Sequence, residues 1–94
     1  MKIGILSLHL IIPGCSSLKQ KRSCIKPMLY RIHRAYNISI AETGMQDNRC
    51  EVLISALFVS NEAGFISKYL QRIISFIEDH FSNFEIIDQR IEII

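Results

Sequence analysis

The sequence predicts an α+β domain of the ferredoxin-like class, a βαββαβ plait in which two helices cover one face of a four-stranded antiparallel sheet. Three observations carry that expectation. The chain has 94 residues, room for one domain spanning residues 1–94. Its apolar residues cluster or alternate in four short stretches and recur at helical spacing in two longer ones. The order of those stretches is strand, helix, strand, strand, helix, strand, which is that of two βαβ-like halves joined by a β–β connection.

The first stretch, "MKIGILSLHLII", is rich in Ile and Leu and stops at Pro13-Gly14, as a mostly buried strand does. Alternation places Leu6, Leu8 and Leu10 on one face, with Ile3, Ile5, Ser7 and His9 on the other. The same stretch has the outline of a lipoprotein signal ending at Cys15. A single Lys, His9 inside the run and Pro13 beside the cleavage point favour the strand.

Ser17 opens the first helix. "SLKQ" is a capping box, in which Ser17 accepts the Gln20 amide and Gln20 reaches back to the cap. Leu18, Ile25, Leu29, Ile32 and Tyr36 fall on one arc, the expected packing face. Pro27 lies inside the pattern and removes the bond to the Ser23 carbonyl, so a kink or restart is expected near residues 23–27.

"NISIAETG" alternates Ile38, Ile40 and Glu42 against Ser39, Ala41 and Thr43, an edge-type strand. "GMQDN" is a loop, with Asp47 as its expected turn former, and "CEVLISALFV" is a second strongly apolar strand. Asn61 or Ser60 is the expected cap of a helix whose Ile66, Leu70, Ile73, Ile77 and Phe81 repeat at helical spacing. "FEIIDQRIEII" closes the chain as a strand with Ile87, Ile91 and Ile93 on one face.

With both helices on one side, the other face of the sheet is left open. Ile3, Ile5, Leu53, Leu57 and Val59 are expected on it, an apolar set that marks an interface, most simply with a second copy in a homodimer.

Charge is divided unevenly. Residues 1–41 carry seven Lys/Arg and no acid, whereas residues 42–94 carry four basic and nine acidic residues. The basic excess is concentrated in "SLKQKRSCIKPMLYRIHRAY". Lys19, Arg22 and Lys26 recur at i, i+3 and i+7 and form a stripe beside the apolar arc. Lys21, Arg31 and Arg34 spread around the exposed side. Such a stripe suits phosphates, and its bland counterpart is a solvated face offsetting the acids of the second helix.

Motifs for chemistry are lacking. The first strand has no acid to hold a nuclease metal, and "PGCSSLK" has neither the glycines nor the Arg of an acyl-phosphate cradle. Cys15, Cys24 and Cys50 share no CxxC spacing and no His partner, so neither a metal site nor a thiol nucleophile is expected. Their odd number fits reduced thiols in a cytoplasmic protein. No apolar run approaches the ~20 residues of a membrane span. No cofactor is implied. The central strands lack outward aromatics for stacking RNA bases, since Phe58 faces the helices by parity.

"LHLIIPGCSSLKQKRSCIKPML", with Gln46-Asp47 before the third strand and Val59-Ser60-Asn61 after it, resembles the YlxP-like family of small bacterial proteins. That resemblance implies a ferredoxin-like fold and, through the genes its members often neighbour, an association with translation. Together with the charge pattern, it leads us to expect a non-enzymatic module that contacts RNA or a ribosome-linked protein. The contact residues are Lys19, Lys21, Arg22 and Lys26. The alternative is a self-associating structural or regulatory domain that uses the open sheet face.

Overall fold

The computed structural model describes residues 1–94 and contains the six elements in the expected order. They are β1 (Lys2–Ile11), α1 (Leu18–Ala35), β2 (Ser39–Gly44), β3 (Glu51–Ser60), α2 (Ala63–His80) and β4 (Glu85–Ile93). The strands form one sheet in the order β2-β3-β1-β4, each neighbouring pair antiparallel. Both helices lie on one face, α1 over β2 and α2 over β1, β3 and β4. This is the ferredoxin-like plait.

The two most apolar strands take the centre because only there are both edges hydrogen-bonded and one face fully covered. Leu6 stands opposite Ala56, Leu8 opposite Ile54 and Leu10 opposite Val52, and all six are buried in the core. From above, α2 contributes Ile66, Leu70, Ile73 and Ile77, and α1 contributes Ile25, Met28 and Ile32. Phe58 faces this layer as parity requires and stacks on Tyr69 with ring centroids 4.2 Å apart.

β4 departs from the expected pattern. A bulge pairs His9 with Asp88 but Leu10 with Ile86, leaving Ile87 as the extra residue. Two residues opposite one reset the alternation. Ile86 and Ile91 therefore pack on the core, while Ile87 is exposed.

α1 is one uninterrupted helix with Pro27 inside it, so there is no restart at residues 23–27. Ser23 and Pro27 are both exposed. The carbonyl that loses its helical donor therefore faces water, which removes most of the reason for a break. The buried face of α1 is Lys21, Ile25, Met28 and Ile32, with Leu18, Leu29 and Tyr36 on its flanks.

Ser17 Oγ accepts from Gln20 N at 3.1 Å, but Gln20 Oε1 returns to Ser16 N at 3.2 Å, one residue before the cap. The cap of α2 is Glu62, not Asn61 or Ser60, and its own side chain makes no capping bond, although Ser60 Oγ accepts from the Glu62 amide at 3.4 Å. Its negative charge at the helix N-terminus is favourable in itself.

Candidate functional site

The basic segment of α1 divides into three groups with different surroundings. Lys21 is the first, and it is not on the surface. Only 2% of it is exposed, so it leaves the set of phosphate contacts expected from sequence. Its Nζ donates to the carbonyls of Met45 at 2.7 Å and Asn48 at 2.8 Å, and it lies 3.1 Å from Glu42 Oε2. Two of the ammonium's three donors are taken by the carbonyls, and Glu42 Oε2 meets it as an ion pair without a hydrogen bond. Burying it alone would cost several kcal/mol, and the carboxylate and carbonyls offset that cost. Glu42 reaches this position because it shares the inward face of β2 with buried Ile40. Lys21 thus ties α1 to the loop between β2 and β3.

Arg31 and Arg34 are the second group. The Arg31 guanidinium sits over the rings of Phe76 and Phe81, 5.5 and 5.1 Å from their centroids. Arg34 lies over Tyr30 and donates to its hydroxyl at 2.9 Å. Cation–π contacts of this kind hold a guanidinium in place on its own helix layer.

Lys19, Arg22 and Lys26 remain. All three are exposed, as is His33 farther along α1. None forms a side-chain hydrogen bond or an ion pair. The ion pairs of the molecule are His9–Glu51, Lys21–Glu42 and Arg90–Glu92, so the acids of α2 do not neutralise the stripe by contact. α1 carries no acid of its own.

The β2–β3 loop is held on its other side as well. His9 Nε2 lies 2.9 Å from Glu51 Oε1, and Asn48 Nδ2 donates to Glu51 Oε2 at 3.1 Å. Gln46 and Asp47 form the centre of a turn closed by Asn48 N donating to Met45 O at 3.0 Å, and Asn48 Oδ1 then accepts from the amides of Cys50 and Glu51. Asp47 is exposed, and its side chain makes no hydrogen bond. Arg22, Gln46 and Asp47 come together with Leu18, Lys21 and Glu42 around a cleft of about 300 Å³. A larger groove of about 510 Å³ runs along α2 beside Tyr36, which packs edge to face on Phe76.

The five residues expected on the open sheet face are all there, since β3 pairs Val59, Leu57 and Leu53 with Ile3, Ile5 and His9. Leu57 and Val59 are 44% and 55% exposed, whereas Ile3, Ile5 and Leu53 are half-buried. A polar band of Ser7, Ser55 and Thr43 crosses between them, with Thr43 Oγ1 and Ser55 Oγ 2.7 Å apart. Leu53 therefore stands apart from the other four. No group of three or more His, Cys, Asp or Glu side chains converges, and no helix is long and apolar enough to cross a membrane.

Comparison with known proteins bears on the family and the fold. Over 76 residues the chain is 36% identical to the uncharacterised protein YlxP of Bacillus subtilis (strain 168), covering 81% of this chain and 83% of that one. Among solved structures, the de novo designed protein Foldit4 superposes with a TM-score of 0.57 over 98% of this chain and 97% of its own. At 17% identity, that likeness is one of fold alone. Residues 3–91 match the model of a family described as a protein of unknown function, DUF503, and the chain belongs to that family.

Proposed function

We propose that the protein is a non-enzymatic binding module that takes the phosphates of an RNA on the exposed stripe of α1. The observation that carries this reading is that Lys19, Arg22 and Lys26 share one face of α1, all exposed and none ion-paired. Three uncompensated cations on a rigid helix attract a polyanion by releasing its condensed counterions. A solvated face that merely balanced the acids of α2 would place those acids nearby, and no such contact exists.

Binding of a structured RNA at low salt tests the reading. The triple variant Lys19→Gln, Arg22→Gln, Lys26→Gln keeps helix propensity and leaves the buried face intact. Its affinity is expected to fall by at least about tenfold. Glu78→Gln and Asp79→Asn in α2 serve as controls and are expected to bind no more weakly than wild type. Equal affinity of wild type and the triple variant returns the stripe to a solvated face.

A second reading has its own observation. Leu57 and Val59 expose large apolar side chains beside Ile3 and Ile5, a patch that suits a second copy of the chain. Self-association through it is compatible with the first reading and would double the basic surface. Sedimentation at micromolar concentration is expected to show a dimer that Leu57→Lys converts to monomer. A wild-type monomer, with Leu57→Lys leaving mass and solubility unchanged, removes this reading.

A further inference from the structure

The geometry points to the cleft between the first turns of α1 and the β2–β3 loop as a pocket for one unstacked guanine base of the bound RNA, read by Asp47 and Arg22. This deepens the RNA reading above and rests on it.

The loop backbone is fixed on both sides of the residues that face the cleft. Lys21 holds the carbonyls of Met45 and Asn48, one on each side of Gln46-Asp47. The Asn48 side chain is fully engaged with the Cys50 and Glu51 amides and the Glu51 carboxylate. Met45 adopts a left-handed backbone at φ 57°, a conformation unfavourable for a non-glycine residue. A buried ammonium and a strained residue thus hold a loop whose two middle side chains, Gln46 and Asp47, are exposed and make no hydrogen bond inside the protein. Ordering of this kind removes the entropy cost of presenting those groups to a ligand.

The charges of the cleft say which part of a ligand it takes. Lys21 and Glu42 cancel as an ion pair. Arg22 and Asp47 line the same cleft without pairing to each other, so the Arg22 guanidinium stays free. The lining holds two cations and two carboxylates, no net positive charge, whereas the stripe beside it is cationic throughout. The phosphates therefore belong on the stripe, and the cleft takes an uncharged part of the same polymer, a base.

Guanine fits the polar pattern and the other bases do not. Its Watson–Crick edge sets N1–H beside the N2 amino group, two adjacent donors that match the two oxygens of the Asp47 carboxylate. Next to them O6 accepts from the Arg22 guanidinium or the Gln46 amide. Adenine and cytosine would turn a ring-nitrogen acceptor toward the carboxylate, and uracil has one N–H between two carbonyls. A guanidinium side chain would also match Asp47, but it meets Arg22. Leu18 supplies an apolar wall for the ring.

The test is fluorescence anisotropy with short oligouridylates whose central base is uracil, guanine or hypoxanthine, the last lacking only the N2 amino group. Wild type is expected to bind the guanine oligomer about tenfold more tightly than the all-uracil one, with hypoxanthine between. Asp47→Asn is expected to abolish that preference without weakening binding of the all-uracil oligomer. Asp47 is exposed and unbonded, so the urea midpoint should not move, and Asp47→Ala should behave alike. Salt-dependent binding with no guanine preference, or a preference that survives both variants, overturns the cleft assignment and leaves the stripe standing. No binding of any oligomer at low salt overturns both.

Discussion

Replacing Lys21 by methionine is expected to destabilise the fold by about 3 kcal/mol, the low end of the range for breaking a buried ion pair. Methionine keeps most of the buried stem, so little of the loss comes from packing. What disappears is the ammonium 3.1 Å from a buried Glu42 oxygen and the donor to two loop carbonyls. The Glu42 side chain is 20% exposed and can recover some hydration, which is why the low end applies. Adding Glu42→Leu should recover much of the loss, because removing both members leaves no orphaned charge. Urea unfolding measures both variants. A Lys21→Met midpoint equal to that of wild type would show that the pair is solvated in solution, and the loop would lose its anchor.

Gly4→Ala is expected to cost about 2 kcal/mol, although alanine suits an ordinary strand better than glycine by about 0.5–1 kcal/mol. The sign is reversed by the seating of α2. A Cβ on Gly4 would collide with Ile66 Cγ2 and stand 3.0 Å from Leu70 Cδ1, both on the face of α2 that covers β1. Ile66 and Leu70 are fully buried and have no free volume to move into. Gly4→Val should be worse than Gly4→Ala. An alanine variant as stable as wild type would mean that α2 rides higher over β1 than described.

The order of elements was legible because each change in apolar period marks a change of element, and the inward faces of β1 and β3 followed from strict alternation. β4 was not, since "FEIIDQRIEII" offers an inward residue at either Ile86 or Ile87, and only the pairing with β1 shows where the bulge falls. The burial of Lys21 ran against the general tendency of lysine to stay exposed. Two signals nevertheless stood in the sequence. Lys21 shares a helix face with Ile25, Met28 and Ile32, and Glu42 shares a strand face with Ile40.

For the site, spacing correctly grouped Lys19, Arg22 and Lys26, because Pro27 leaves the helix continuous and so preserves their register. Spacing could not show that Arg31 rests on aromatic rings, since Phe76 and Phe81 lie in or beyond α2, far away in the chain. The Arg34–Tyr30 contact, at i, i+4 on α1, was within its reach. Nor could it show that Gln46-Asp47 lines one cleft with Arg22. That shared lining depends on Lys21 drawing the loop onto α1.

The central claim is that the stripe on α1 neutralises phosphates, and the salt dependence of RNA binding tests it most directly. Each phosphate contact contributes roughly 0.7–0.9 to the slope of log K against log salt. With Lys19, Arg22 and Lys26 all replaced by Gln, the slope is expected to flatten by up to about 2–3 relative to wild type. The urea midpoint should not change. A wild-type protein that binds no RNA at low salt, or a triple variant with an undiminished slope, contradicts the account.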